Sequence, residues 1–93
     1  MTRLEFWPDY GTGPLWTDKG KPVYLESLGI SPQLAEGVRL WNSQFEEGKI
    51  PMDGPGDAEW IAEGVDLLRQ LRTDLDPSVE IVVTEPWWGE PPN

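Results

Sequence analysis

Neither cysteine nor histidine occurs in the 93 residues, and cationic side chains are scarce, seven against seventeen acidic ones. Without thiol or imidazole there is no disulfide, no Ser-His or Cys-His nucleophile pair, no thiolate or imidazole zinc site and no histidine-ligated haem. The usual general base that titrates near neutrality is missing too. The lack of cysteine fits a reducing compartment. The shortage of cations leaves a formal charge of -10, whose field repels phosphate backbones and anionic lipid surfaces. Direct nucleic-acid and membrane-surface binding are thereby disfavoured, whereas a basic protein surface is attracted. The same charge also serves plain solubility. No apolar run reaches a membrane-spanning length, and the start Met1-Thr2-Arg3-Leu4-Glu5 lacks the apolar stretch of a secretory signal, so a cytoplasmic location is expected.

What is present suffices for one domain. Hydrophobic residues make up 38% of the chain and six of them are Trp. A chain of this size buries only roughly 60 to 65% of its unfolded surface, so the core is expected to be thin. Residues 1–93 read as a single domain, with 86–93 as a mobile tail.

Arg3 to Trp7 alternates charged and apolar side chains, the period of a half-buried strand, and Pro8 ends it. Pro8 to Gly20 reads as an ordered loop pinned by Tyr10, Leu15 and Trp16. Within it, Leu15 to Thr17 and Pro22 to Leu25 are the arms expected of a short hairpin turned by Asp18-Lys19-Gly20-Lys21. Ser31-Pro32 is a helix start, since the Ser oxygen accepts an early N–H and Pro at the first helical position forfeits no bond. Leu34, Val38, Trp41 and Phe45 then form one face, and Gly48 marks the stop, which predicts a helix over about 32–47.

Ile50 to Gly56 is a connector. Asp57 caps a second helix whose apolar side runs through Trp60, Ile61, Gly64, Val65, Leu67, Leu68, Leu71 and Leu75 to Asp76-Pro77. Val79 to Thr84 is a strand with Val79, Ile81 and Val83 on one face, and its β-branched density predicts a more interior place than the first strand. The expected fold is α+β: two antiparallel helices packed on a small sheet formed by the N- and C-terminal strands, with a short hairpin near residues 15–25. Strand order is left open by the pattern.

Candidate chemistry is sparse. Gly20-Lys21 and Gly48-Lys49 lack the spacing of a phosphate loop, so no nucleotide cofactor is expected. Asp53-Gly54-Pro55-Gly56-Asp57 lacks the alternating oxygens and distal Glu of a calcium loop, so no metal is expected. Glu59 with Glu63, or Glu63 with Asp66, share a helix side as paired carboxylates. Their early position, with Arg69 and Arg72 later, is better explained by the helix dipole, and no catalytic residue is assigned.

The aromatics divide into two groups. Trp41 and Trp60 fall on helical apolar faces and belong to the core. Trp7, Tyr10, Trp16 and the pair Trp87-Trp88 lie at element ends among Gly and Pro. These groups either pack on one another or leave Tyr10, Trp16, Trp87 and Trp88 as an exposed patch edged by Asp9, Asp18, Glu85 and Glu90, the anchor-and-rim composition of protein interfaces. Carbohydrate stacking uses the same ring chemistry. Glu46 and Glu47 also point outward, because two negative charges in the last turn of the first helix oppose its dipole.

Trp7-Pro8-Asp9-Tyr10-Gly11 with Pro14-Leu15-Trp16, then Leu28-Gly29-Ile30-Ser31-Pro32-Gln33-Leu34 leading to Leu40-Trp41, resembles small acidic bacterial proteins. In size and charge these are similar to immunity and antitoxin-like proteins, which neutralise toxins of bacterial competition. The likeness covers the first half of the chain. It implies a non-catalytic inhibitor whose acidic surface docks on a basic toxin and blocks substrate access. The alternative is a DNA-mimicking inhibitor of a nucleic-acid enzyme, which needs carboxylates spread over one extended face. Arg39, Arg69 and Arg72 interrupt such a row.

Overall fold

A computed structural model of the chain describes residues 2–52 and 54–89. Three strands and two α-helices are present among them: β1 Thr2–Phe6, β2 Leu15–Thr17, α1 Pro32–Ser43, α2 Ala58–Asp74 and β3 Val79–Val83. The α+β architecture expected from the sequence is the one observed.

The sheet runs β2-β1-β3, with β2 antiparallel and β3 parallel to β1. This corrects the expectation that the Val- and Ile-rich strand lies innermost: β1 is the middle strand and β3 an edge. The register explains how an edge strand still buries its side chains. Leu4 stands opposite Ile81, and Phe6 lies between Leu15 and Val83, so one continuous apolar row faces the helices. At the β3 edge the Arg72 guanidinium donates to the Ile81 carbonyl at 2.6 Å, giving one edge acceptor a partner outside the ladder. Of the expected hairpin, Leu15–Thr17 and its turn are present, with Thr17 N donating to Lys21 O at 2.8 Å. The returning arm shrinks to a bridge between Trp16 and Pro22, because Pro22 has no N–H to extend a ladder. Leu25–Leu28 is a 3-10 turn.

Both helix starts follow their caps: Ser31 Oγ accepts from Leu34 N at 3.2 Å and Asp57 Oδ1 from Trp60 N at 3.1 Å. Ser31 N also donates to Asp74 Oδ2 at 2.8 Å, tying the start of α1 to the end of α2. Near their other ends Trp41 stacks on Trp60 at 4.3 Å. The two ties together make the helices antiparallel.

Helix α1 stops at Ser43, four residues before Glu47, where the sequence pattern places its end. Ser43 Oγ bonds back to Leu40 O, and the Asn42 carboxamide is committed to the 8–13 loop, accepting from Asp9 N at 3.1 Å and donating to Thr12 O at 2.9 Å. Phe45 is nevertheless buried, so the apolar spacing continues past the end of the helix. Glu46 is extended and Glu47 opens a separate 3-10 turn, Glu47–Lys49. The expected conflict of these two charges with the α1 dipole therefore does not exist.

The core is built around aromatic rings. Phe6 stacks on Trp41 at 5.6 Å and meets Trp88 edge-on at 5.0 Å. Trp41 and Trp60 exchange hydrogen bonds, each indole N–H donating to the other's backbone carbonyl, at 2.8 and 3.1 Å. Two large polar-tipped side chains are thereby buried with their donors satisfied. Gly64 makes the arrangement possible, because a methyl at that position of α2 would overlap Trp41 and approach Trp88 to 3.0 Å.

Candidate functional site

Among the described residues no group of three or more Asp, Glu, His or Cys is placed to hold a metal ion. Glu59, Glu63 and Asp66 are all exposed on α2, and Asp66 accepts from Gln70 Nε2 at 2.7 Å, which is ordinary solvated helix surface. Asp53, half of the glycine-flanked acid pair, lies outside the described residues.

The aromatics at the strand ends behave differently from one another. Trp88 is 2% exposed and packs on Phe6 and Trp41, and Trp16 is 6% exposed beneath Trp7. The expectation that both rings form an exposed patch fails, because sheet pairing brings each Gly/Pro-flanked segment against the body of the protein. Trp16 stacks nearly parallel on Trp7 with ring centroids 4.0 Å apart, and its indole N–H donates to the Trp7 carbonyl at 2.8 Å. Pro86–Trp88, the start of the expected tail, forms a 3-10 turn, while Glu90 and the rest of the tail lie outside the described residues.

A cleft remains open between the segments that follow β1 and β3 and the α1–α2 connector, lined by Trp7, Pro8, Ile50, Met52, Thr84, Glu85, Trp87 and Trp88, with a volume of about 230 Å³. The strand order creates it: parallel pairing of β1 and β3 sets Trp7 and Glu85 just past adjacent strand ends. Met52 is 70% exposed, while Trp7, Ile50, Glu85 and Trp87 are half-buried. Glu85 makes no ion pair among the described residues, and no cationic side chain lines the cleft. Among the described residues the buried indole N–H groups of Trp87 and Trp88 have no partner, so packing holds their rings there.

The other expected residues fall around this cleft or away from it. Tyr10, 59% exposed, rests edge-on against Phe45 at 4.9 Å, and its hydroxyl accepts from Glu47 N at 3.2 Å. Glu47 borders a second groove that shares Ile50 with the first. Tyr10, Glu47, Ile50, Glu85 and Trp87 thus belong to one connected surface, with exposed Glu46 next to Glu47. Asp9 is half-buried, its carboxylate accepting from Tyr10 N at 2.7 Å. Asp18 is exposed in the turn after β2 and lines neither groove.

Sequence reasoning missed Ile50 and Met52, which it took as connector. The available signal was two large apolar side chains within a Pro/Gly-rich segment that needs none. Trp7 was grouped with the strand-end aromatics but not placed in the patch.

No helix among the described residues is long and apolar enough to cross a membrane. The model of one protein family, described as Serratia CdiI immunity protein-like, matches residues 2–86. No curated protein matches the chain.

Proposed function

We propose that this chain, which belongs to the Serratia CdiI immunity protein-like family, neutralises a partner toxin in the cytoplasm by stoichiometric binding, with no chemistry of its own. The family match across nearly the whole chain carries the reading. The geometry supports it: the candidate surface pairs an apolar aromatic cleft with an acidic border, and the chain as a whole carries a charge of -10. Such a surface accelerates encounter with a basic partner, and its partly buried rings provide the anchor that area alone does not.

The test is to co-produce the protein with the toxin domain encoded beside it. Survival of the producing cells and a 1:1 complex on gel filtration are expected, with an association rate that falls steeply as salt rises. Survival no better than with an empty vector, together with no complex, would refute the reading.

A further inference from the structure

The cleft between Trp7 and Trp87 has a composition that selects for one kind of occupant. Apart from Thr84 its walls are aromatic and aliphatic, and among the described residues the one charged side chain that lines it is half-buried Glu85. That carboxylate has no cationic partner among the described residues, while the nearest basic side chain in sequence to the connector wall, Lys49, is drawn off to Asp57 at 3.9 Å and over the Trp60 ring. An apolar side chain entering the cleft would take water from Glu85 and offer no charge in return, a costly exchange. A cation on a long apolar stem meets both demands. The stem lies along Pro8, Ile50 and Met52, and the charged end reaches Glu85 past the rings of Trp7 and Trp87.

We propose that this cleft receives an arginine side chain of the partner protein. The guanidinium favours arginine over lysine, because a planar cation stacks on indole while donating two parallel hydrogen bonds to a carboxylate. Trp7 suits the role, since Trp16 covers one face at 4.0 Å and fixes the ring's position before any partner arrives. The flexible thioether of Met52, 70% exposed at the rim, adapts to the incoming stem. This inference rests on the reading of the protein as a toxin-binding inhibitor and names the chemistry of the contact.

The experiment titrates the intact protein with N-acetylarginine amide and, separately, with its neutral isostere N-acetylcitrulline amide, following the six tryptophan indole N–H signals by NMR. Saturable shifts of the Trp7 and Trp87 signals with the arginine compound alone are expected. The Trp60 signal, held by Trp41 O, should stay in place. Glu85→Gln should weaken the titration by roughly tenfold or more with an unchanged thermal midpoint. Equal response to citrulline would assign the cleft to a neutral occupant, and a dimer in sedimentation velocity with these signals already shifted would assign it to a second copy. Either result, or a titration that never saturates, overturns the proposal. Toxin binding that persists undiminished in Glu85→Gln would overturn the arginine contact and leave the inhibitor reading standing. Saturation by arginine without any toxin complex would do the reverse.

Discussion

Replacing Gly64 by alanine sets two effects of opposite sign against each other. Alanine is favoured over glycine inside a helix by about 1 kcal/mol, so on α2 propensity alone the change should stabilise. A methyl at this position, however, would overlap Trp41 Cζ2 and lie 2.9 Å from Trp41 Cε2 and 3.0 Å from Trp88 Cζ3. Neither ring has room to withdraw: Trp41 is fully buried, Trp88 is 2% exposed, and Trp41 is held to Trp60 by reciprocal hydrogen bonds. Overpacking of a tight core costs about 1 to 3 kcal/mol, and two displaced indoles place this site at the upper end. The net expectation is a loss of about 2 kcal/mol, or a fall in Tm of roughly 8 to 16 °C for a domain of this length.

Gly37 on α1 is the matched control, since a methyl there would meet only Leu67 Cδ2 at an ordinary 3.8 Å. Gly37→Ala should therefore raise stability by about 0.5 to 1 kcal/mol. Urea and thermal unfolding of both variants decide the matter. If Gly64→Ala is as stable as the parent, or moves in the same direction as Gly37→Ala, the account of the aromatic core is wrong.

Leu68→Ala should cost about 2 to 5 kcal/mol in urea unfolding, because the side chain is 1% exposed at the centre of the α2 face; a loss under about 1 kcal/mol would contradict that placement. Asn42→Ala should cost about 1 to 3 kcal/mol by stripping partners from Asp9 N and Thr12 O, and should speed hydrogen exchange at the Asp9 amide. The Asp76 carboxyl is held below the ordinary aspartate value by the Ser78 backbone N–H, 2.9 Å away. A depressed folded value means that its contribution is present above the unfolded pKa and is lost as pH falls through the folded one. Asp76→Asn should therefore remove part of the acid-side slope of stability, with carbon NMR giving the depressed midpoint directly.

Both helices were legible because their information is local: a capping side chain, Pro at the first turn, and apolar residues three and four apart. The exception at the end of α1 has the same origin. Phe45 keeps the helical spacing although the chain has already left the helix, and only the long-range use of Asn42 by the 8–13 loop shows why it leaves. Strand order was not legible, since the β-branched richness of Val79–Val83 reflects burial of Ile81 and Val83 in the core as well as a central place would. The candidate surface was half legible. Glu85 and Trp87 are where the composition suggested, but Trp16 and Trp88 looked exposed only because their neighbours in sequence are Gly and Pro. Burial of those rings depends on partners from distant segments, as does the recruitment of Ile50 and Met52 to the cleft.

The pairing of Thr2 with Val79 has a consequence for synthesis. β1 is synthesised well before its parallel partner β3, so this pair closes only after Val83 has left the ribosome. The cleft draws its three tryptophans from the segments just past those two strands, and no nascent fragment that stops short of them possesses it. Nonsense or frameshift lesions upstream of Val79 should thus remove the cleft outright instead of grading it.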